Sequence, residues 1–213
     1  EVFYYARKTG FRSAMSFAPY IVTSRKSEDL IANLLKDDYP VLFEGLHSCY
    51  YIDDPRIRKR LKIYRESNIE HRYYYNLFKV AANPGNRLYF LLASAKLRLY
   101  QKVLLHADLM FAVSQHDTDY LQRHFPGKNI YHLPSFHANN QVSVLPGKGD
   151  YALYHGNIEV PENEFAATYL VTKVFDGLDI PLIIAGMKPR EKFIKLAESR
   201  PNIMVVANPE DEK

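Results

Sequence analysis

A single cysteine, Cys49, is all that 213 residues supply. This excludes an internal disulfide framework and any cysteine-based zinc cluster. Tryptophan is absent altogether. No stretch reaches the roughly 18 consecutive apolar residues of a membrane-spanning helix, and no early apolar run has the layout of a secretion signal. With the lone cysteine, these absences predict a cytoplasmic protein. Gly-x-Ser-x-Gly, the Walker lysine loop and the full Gly-rich dinucleotide fingerprint are also missing, so motif-based hydrolase, NTPase and dehydrogenase readings lose support.

What is present is a soluble, core-forming composition, 47% hydrophobic and 24% charged, which rules out disorder, collagen and coiled coil. The length suits one large domain or two small ones. Charge is uneven: residues 151–213 carry seven Lys and Arg against ten Asp and Glu, whereas the preceding 150 carry 21 against 14. The net charges are therefore −3 and +7. Between Arg56 and Arg72 stand seven basic residues and only Glu66 and Glu70. That cluster is either a solvated face or a surface for an anionic partner. Many of the 17 tyrosines lie in the same half, and their polar-tipped rings suit a groove wall as well as a core.

Short apolar runs alternate with longer segments of helical period, the pattern of an α/β protein with mainly parallel sheets. Strands are predicted at residues 19–23, 40–44, 61–65, 108–113, 129–133, 150–155, 181–185 and 202–206. Helices are expected after Ser27, over 69–80, 87–106, 115–124, 162–176 and 190–199. In the helix over 87–106, Leu88, Leu91, Leu92, Ala95, Leu99, Val103 and Leu104 form one apolar stripe. Residues 136–149 have neither period and read as a linker. The predicted domains are thus 1–145 and 146–213, the second having three strands and two helices, half of a doubly wound unit.

Strand ends supply the candidate sites. In Phe43-Glu44-Gly45-Leu46-His47, Glu44 or His47 is placed to take a proton from a hydroxyl, the alternative being groups satisfied within a tight turn. In Arg65-Glu66-Ser67-Asn68-Ile69-Glu70-His71, Arg65 suits a phosphate or carboxylate, and helix-start amides add to an anion site. Glu70 and His71 are otherwise helix-surface residues. Ser114-Gln115-His116-Asp117 is too closely spaced for a nucleophilic triad and reads better as a helix cap. Tyr154-His155-Gly156-Asn157 and Ala185-Gly186-Met187-Lys188 both end strands, where glycine permits backbone approach to a diphosphate, Asn157 offers polar groups and Lys188 positive charge. Ordinary turns between strand and helix are the competing account.

In order along the chain, the segments Arg65-Glu66-Ser67-Asn68-Ile69-Glu70-His71-Arg72-Tyr73-Tyr74, Ala112-Val113-Ser114, Leu133-Pro134-Ser135-Phe136, Tyr154-His155-Gly156 and Ile183-Ile184-Ala185-Gly186 resemble the GT-B-fold glycosyltransferases, specifically the bacterial glycosyl transferases group 1 type. The resemblance implies two Rossmann-like domains facing across a cleft, both incomplete here. An N-terminal acceptor side would hold Glu44, His47, Glu70 and His71 as catalytic residues and Arg65, Asn68 and Ser114 as substrate-binding ones. Gly156, Asn157, Gly186 and Lys188 would approach the diphosphate of a nucleotide-sugar donor. It further implies transfer to a glycan or lipid-linked acceptor, no metal and no cofactor, no nucleic-acid partner, and contact of the basic half with the inner membrane face. The family's first strand and acidic donor-binding pair would lie outside residues 1–213, leaving this piece inactive alone. Ile158-Glu159-Val160-Pro161-Glu162-Asn163 departs from the family by supplying acids where Arg and Lys are usual. The competing reading is a non-catalytic GT-B-like module that binds an anionic glycan or scaffolds an assembly.

Overall fold

The computed structural model describes residues 2–9, 16–81, 83–136, 138, 140–141 and 146–210. They belong to two units, Glu1–Ala138 and Asn139–Lys213. The boundary expected at residue 145 lies outside the described residues, as does part of the predicted linker. Both units are α/β with wholly parallel sheets.

In the first unit the order is α1 (Tyr20–Thr23), α2 (Glu28–Leu34), β1 (Val41–Glu44), 3-10 segments at Leu46–Tyr51 and Pro55–Ile57, β2 (Lys62–Glu66), α3 (Glu70–Val80), α4 (Pro84–Tyr100), a 3-10 turn Gln101–His106, β3 (Leu109–Ala112), α5 (Gln115–His124) and β4 (Asn129–His132). The strands lie in sequence order, β1-β2-β3-β4. With right-handed crossovers, such an order sends every connection over one face. Burial agrees: Phe43, Tyr64, Met110 and Ile130, aligned across the four strands, are buried with Leu46, Ile57, Leu97, Leu104 and Leu121. The opposite face carries Leu42, Glu44, Arg65, Phe111 and Tyr131, none of them buried. No reversal of strand order occurs among the described residues.

Three expectations change. Residues 19–23, read as a strand from their β-branched run, form the turn α1, in which the Thr23 hydroxyl donates back to the Pro19 carbonyl at 3.3 Å. That local bond competes with extended backbone. Helix α4 begins earlier than predicted because the Asn83 side chain accepts from the amides of Gly85 and Asn86, with Pro84 in the first turn; this is a standard cap. The part of the leucine stripe that lies in this helix also faces outward, whereas Leu104 in the following 3-10 turn is buried. Leu88, Leu92 and Leu99 are exposed by 59%, 55% and 69%, whereas Ser94 and Leu97 are buried. The helix is apolar on more than one side, so its neighbours rather than its period select the buried face.

The second unit runs β5 (Ala152–Asn157), α6 (Pro161–Tyr169), a π-type turn Leu170–Val174, β6 (Leu182–Met187), α7 (Glu191–Glu198) and β7 (Ile203–Ala207), with sheet order β5-β6-β7. Ile158, Ala167, Val171, Leu182, Ile184, Phe193, Ala197 and Ile203 form its core. Of the aromatic residues in the helix expected over 162–176, Phe165 and Tyr169 are exposed, Phe175 packs against the core, and Ala167 and Val171 are buried. Among the described residues no helix is long and apolar enough to cross a membrane.

Gly186 shows how tightly this sheet is built. A Cβ there would lie 2.1 Å from the Gly156 carbonyl oxygen and 2.7 Å from Ile158 Cγ1. Gly186→Ala is expected to lower stability by about 1–3 kcal/mol, the usual cost of overpacking. Urea unfolding followed by circular dichroism measures it, and an unchanged midpoint would contradict this packing.

Candidate functional site

Parallel strands bring all their carboxyl ends to one edge, where their loops converge. In the first unit this edge holds Glu44, Glu66, Ser114 and the start of α3. Gly45, directly after β1, has φ 74°, and a Cβ on it would meet the His47 ring at 2.7 Å. The glycine therefore lets the chain turn sharply and lets the imidazole fold back over it. His47 Nδ1 lies 3.1 Å from Glu70 Oε1, a carboxylate only 14% exposed in the first turn of α3. With Nδ1–H donating to Glu70, Nε2 is the ring's acceptor. A carboxylate that fixes an imidazole's tautomer and steadies its charged form prepares it as a general base.

The remaining first-unit candidates separate into other surroundings. Glu44 pairs with Arg65, whose guanidinium also donates to Ser135 Oγ at 3.3 Å. The two sit side by side in the β1–β2 register on the uncovered face. Glu44 thus answers Arg65 rather than sharing the His47–Glu70 pair, and Arg65 is already supplied with a carboxylate. His71 turns away from Glu70: its ring centroid lies 5.8 Å from that of Tyr120, and Arg72, Arg98 and His124 bear on it electrostatically. Burial, then those positive neighbours, bring its pKa down to about 4. Asn68 is exposed in the turn after β2. Ser114 caps α5, accepting from the Asp117 amide at 3.1 Å, as its spacing suggests.

Glu66 is the group that sequence reasoning passes over. It is 1% exposed, its Oε2 accepts from the Tyr64 hydroxyl at 2.6 Å, and its Oε1 has no partner. Burial pushes its carboxyl up to about 8, and the nearby charges of Glu70 and Asp117 add to that against the hydrogen bond from Tyr64. At neutral pH Glu66 is therefore an uncharged acid within electrostatic reach of Glu70. The available signal was the two-residue period of β2, which puts Tyr64 and Glu66 on the face that Phe43 and Met110 bury. Arg25 is a second omission. Burial and Arg7 lower its pKa while Glu70 raises it, so its charge bears on Glu70. The 3-10 segment that carries His47 also contributes Tyr50 and Tyr51 to a cavity of about 470 Å³, which Lys26, Asp53 and Tyr100 help to line.

In the second unit, Gly156 and Gly186 were expected as turns following strands but lie inside β5 and β6, paired with each other in register. Their missing side chains admit neighbouring protein atoms: Asn163 lies 3.4 Å from a Cβ placed on Gly156. Asn157 organises its own loop, Oδ1 accepting from the Glu159 amide at 3.0 Å. Lys188 Nζ pairs with Glu159 at 3.0 Å on the surface. Its backbone has φ 48°, a left-handed conformation unusual for lysine, and its amide donates to Asn208 Oδ1 at 2.7 Å. Such conformations cost on the order of 1–3 kcal/mol and are frequent at functional sites. The first turn of α6 carries Glu162 and Glu164, which offset the positive end of the helix dipole.

The folded chain holds the Glu66 proton to about pH 8, whereas an unfolded glutamate releases it near 4.5. Native stability is therefore lost as pH rises between those values. Glu66→Gln remains neutral and retains an acceptor for Tyr64. Its urea stability should match the parent near pH 4.5 and exceed it at pH 8 by on the order of 4 kcal/mol, at about 1.4 kcal/mol per pH unit. Parallel pH profiles would exclude Glu66 as the titrating group.

No family model matches the sequence, and no curated protein does. Among solved structures, one that is similar is a complex of 3,4-dichloroaniline with a UDP-glucosyltransferase from Polygonum tinctorium capable of glucosylating indoxyl, at 14% identity and a TM-score of 0.44. The match covers 96% of this chain and 58% of that one, so the chain spans less than two thirds of that structure's length.

Proposed function

We propose that the protein is a glycosyltransferase that moves a sugar from a nucleotide-sugar donor to a hydroxyl of a glycan or lipid-linked acceptor. The observation that carries this reading is the His47–Glu70 pair beyond the carboxyl ends of β1 and β2. The order of motifs along the chain supports it. In this reaction the acceptor oxygen forms a bond to the anomeric carbon, the bond from that carbon to the diphosphate breaks, and the diphosphate leaves with the electron pair. His47 Nε2 takes the hydroxyl proton, and Glu70 steadies the resulting imidazolium. Within the second unit, Lys188 is the candidate for a diphosphate, since its exposed pair with Glu159 is worth about 0–1 kcal/mol and is readily exchanged.

Product analysis of the full-length protein with a panel of nucleotide sugars tests the reaction. His47→Ala should lower kcat by about 10²–10⁴-fold, the usual contribution of a general base. Glu70→Gln should lower it less, without loss of fold. Undiminished turnover in both variants would remove this pair from the chemistry. The acids Glu159, Glu162 and Glu164 beside Asn157 and Lys188 oppose a donor diphosphate at this loop, which favours the second reading, a non-catalytic module that would meet an anionic glycan through its basic first 150 residues. Isothermal titration with UDP and GDP separates the two, since only the transferase should bind a nucleoside diphosphate.

Membrane contact falls on the α3–α4 pair in this reading. Residues 71–107 contain six Lys and Arg and no Asp or Glu, and Leu88, Leu91, Leu92 and Leu99 are exposed there. Basic charge beside bare leucines suits an anionic lipid surface. The protein should sediment with phosphatidylglycerol vesicles and not with phosphatidylcholine, and Leu92→Asp with Leu99→Asp should abolish this. Equal retention on both lipids would exclude an electrostatic contact.

A further inference from the structure

We propose that α3 and α4 enclose a binding site for the phosphate group of an organic phosphate ester, built on Arg72 and Arg98. A cavity of about 500 Å³ lies there, lined by His71, Arg72, Tyr75, Asn76, Ser94 and Arg98. Its size, in the range of ordinary small-molecule sites, exceeds what a bare phosphate needs.

Charge is the first argument. Arg56, Arg60, Arg65, Arg190 and Arg200 each hold a carboxylate. Among the described residues, no carboxylate lies within ion-pair distance of Arg72 or Arg98. Nor do α3 and α4 contain any acid after Glu70, the acids of α5 being Asp117 and Asp119. Two guanidinium groups at one cavity make a positive field that no side chain of α3 or α4 neutralises. Folding two uncompensated cations beside one another is unfavourable, and a dianion between them reverses the sign of that interaction.

Preorganisation is the second. The Arg72 guanidinium lies over the Tyr120 ring, 4.3 Å from its centroid. Stacking uses the flat face of the group and leaves its in-plane N–H donors for a ligand. Ser94 is buried and donates to the His71 carbonyl at 2.7 Å, which ties α4 to the first turn of α3 and fixes the wall between them. A carboxylate is satisfied by one arginine fork, whereas the three oxygens of a phosphate ester use two. The amide of Asn76 and the hydroxyl of Tyr75 remain for the organic part of the ligand. The site does not depend on glycosyl transfer and stands or falls separately.

Titration of the protein with glycerol 3-phosphate, followed through the His71 ring resonances, tests it. Tyr120, Arg72, Arg98 and His124 surround that ring, so an anion held between the arginines should raise the His71 pKa from its depressed value. Arg98→Gln, at an exposed position, should weaken glycerol 3-phosphate at least tenfold, and Arg72→Gln should do the same. Glycerol and acetate should leave the spectrum unchanged. If phosphatidic-acid vesicles respond to Arg98→Gln and glycerol 3-phosphate also binds, the site reads the shared phosphate; if only the vesicles respond, that phosphate is a lipid headgroup. A free ester bound without any vesicle response identifies a soluble ligand. Absence of both responses, equal binding by acetate, or affinities that both substitutions leave intact would overturn the proposal.

Discussion

Parallel pairing is the constraint on which the rest of this molecule depends. Each connection must return from the carboxyl end of one strand to the amino end of the next, so all carboxyl ends open at one edge. Because the strands of each unit follow sequence order, the connections also gather on one face. The first unit's core, with Tyr64 and Met110 at its centre, is the product of that gathering. The same geometry places the loop after β1 beside the start of α3 and so brings His47 to Glu70, 23 residues apart in sequence.

The alternation of strand side chains then sorts the polar groups at this edge. Arg65 and Glu66 are consecutive, yet one lies on the open face with Glu44 and the other is buried on the core face. A step of one residue therefore separates a solvated ion pair from an uncharged carboxylic acid. The buried acid lessens the negative charge facing Glu70, which leaves Glu70 suited to hold an imidazolium. His71 shows the corresponding rule for a helix, since neighbouring residues face about 100° apart. It leaves the His47–Glu70 pair for Tyr120 and the two arginines.

Most elements were legible in the sequence. Seven of the eight predicted strands are present, with ends shifted by one or two residues, because continuous apolar runs between turn residues describe strands buried in a parallel sheet. The Ser114 cap was legible for the same local reason. The run over residues 19–23 was not, since β-branched residues fit either state and the Thr23 hydroxyl bond decides it. The faces of α4 were not legible either, because its leucines and its buried Ser94 and Leu97 satisfy a helical period equally well.

By itself, the sequence determined the α/β alternation, the absence of disulfide chemistry, and the polar residue types available at each strand end. These are properties of short windows, fixed by local period, capping and composition. Only the tertiary structure decided which of those residues meet. His47 joins Glu70, Glu44 joins Arg65, and His71 joins Arg72 and Arg98, because strand register and crossover path set distances that no window contains. The initial absence of cysteine chemistry acquires a structural counterpart here: Cys49 is wholly buried and its thiol pKa is pushed far up by burial, so the chemistry available to the first unit rests on its imidazoles, carboxylates and guanidinium groups.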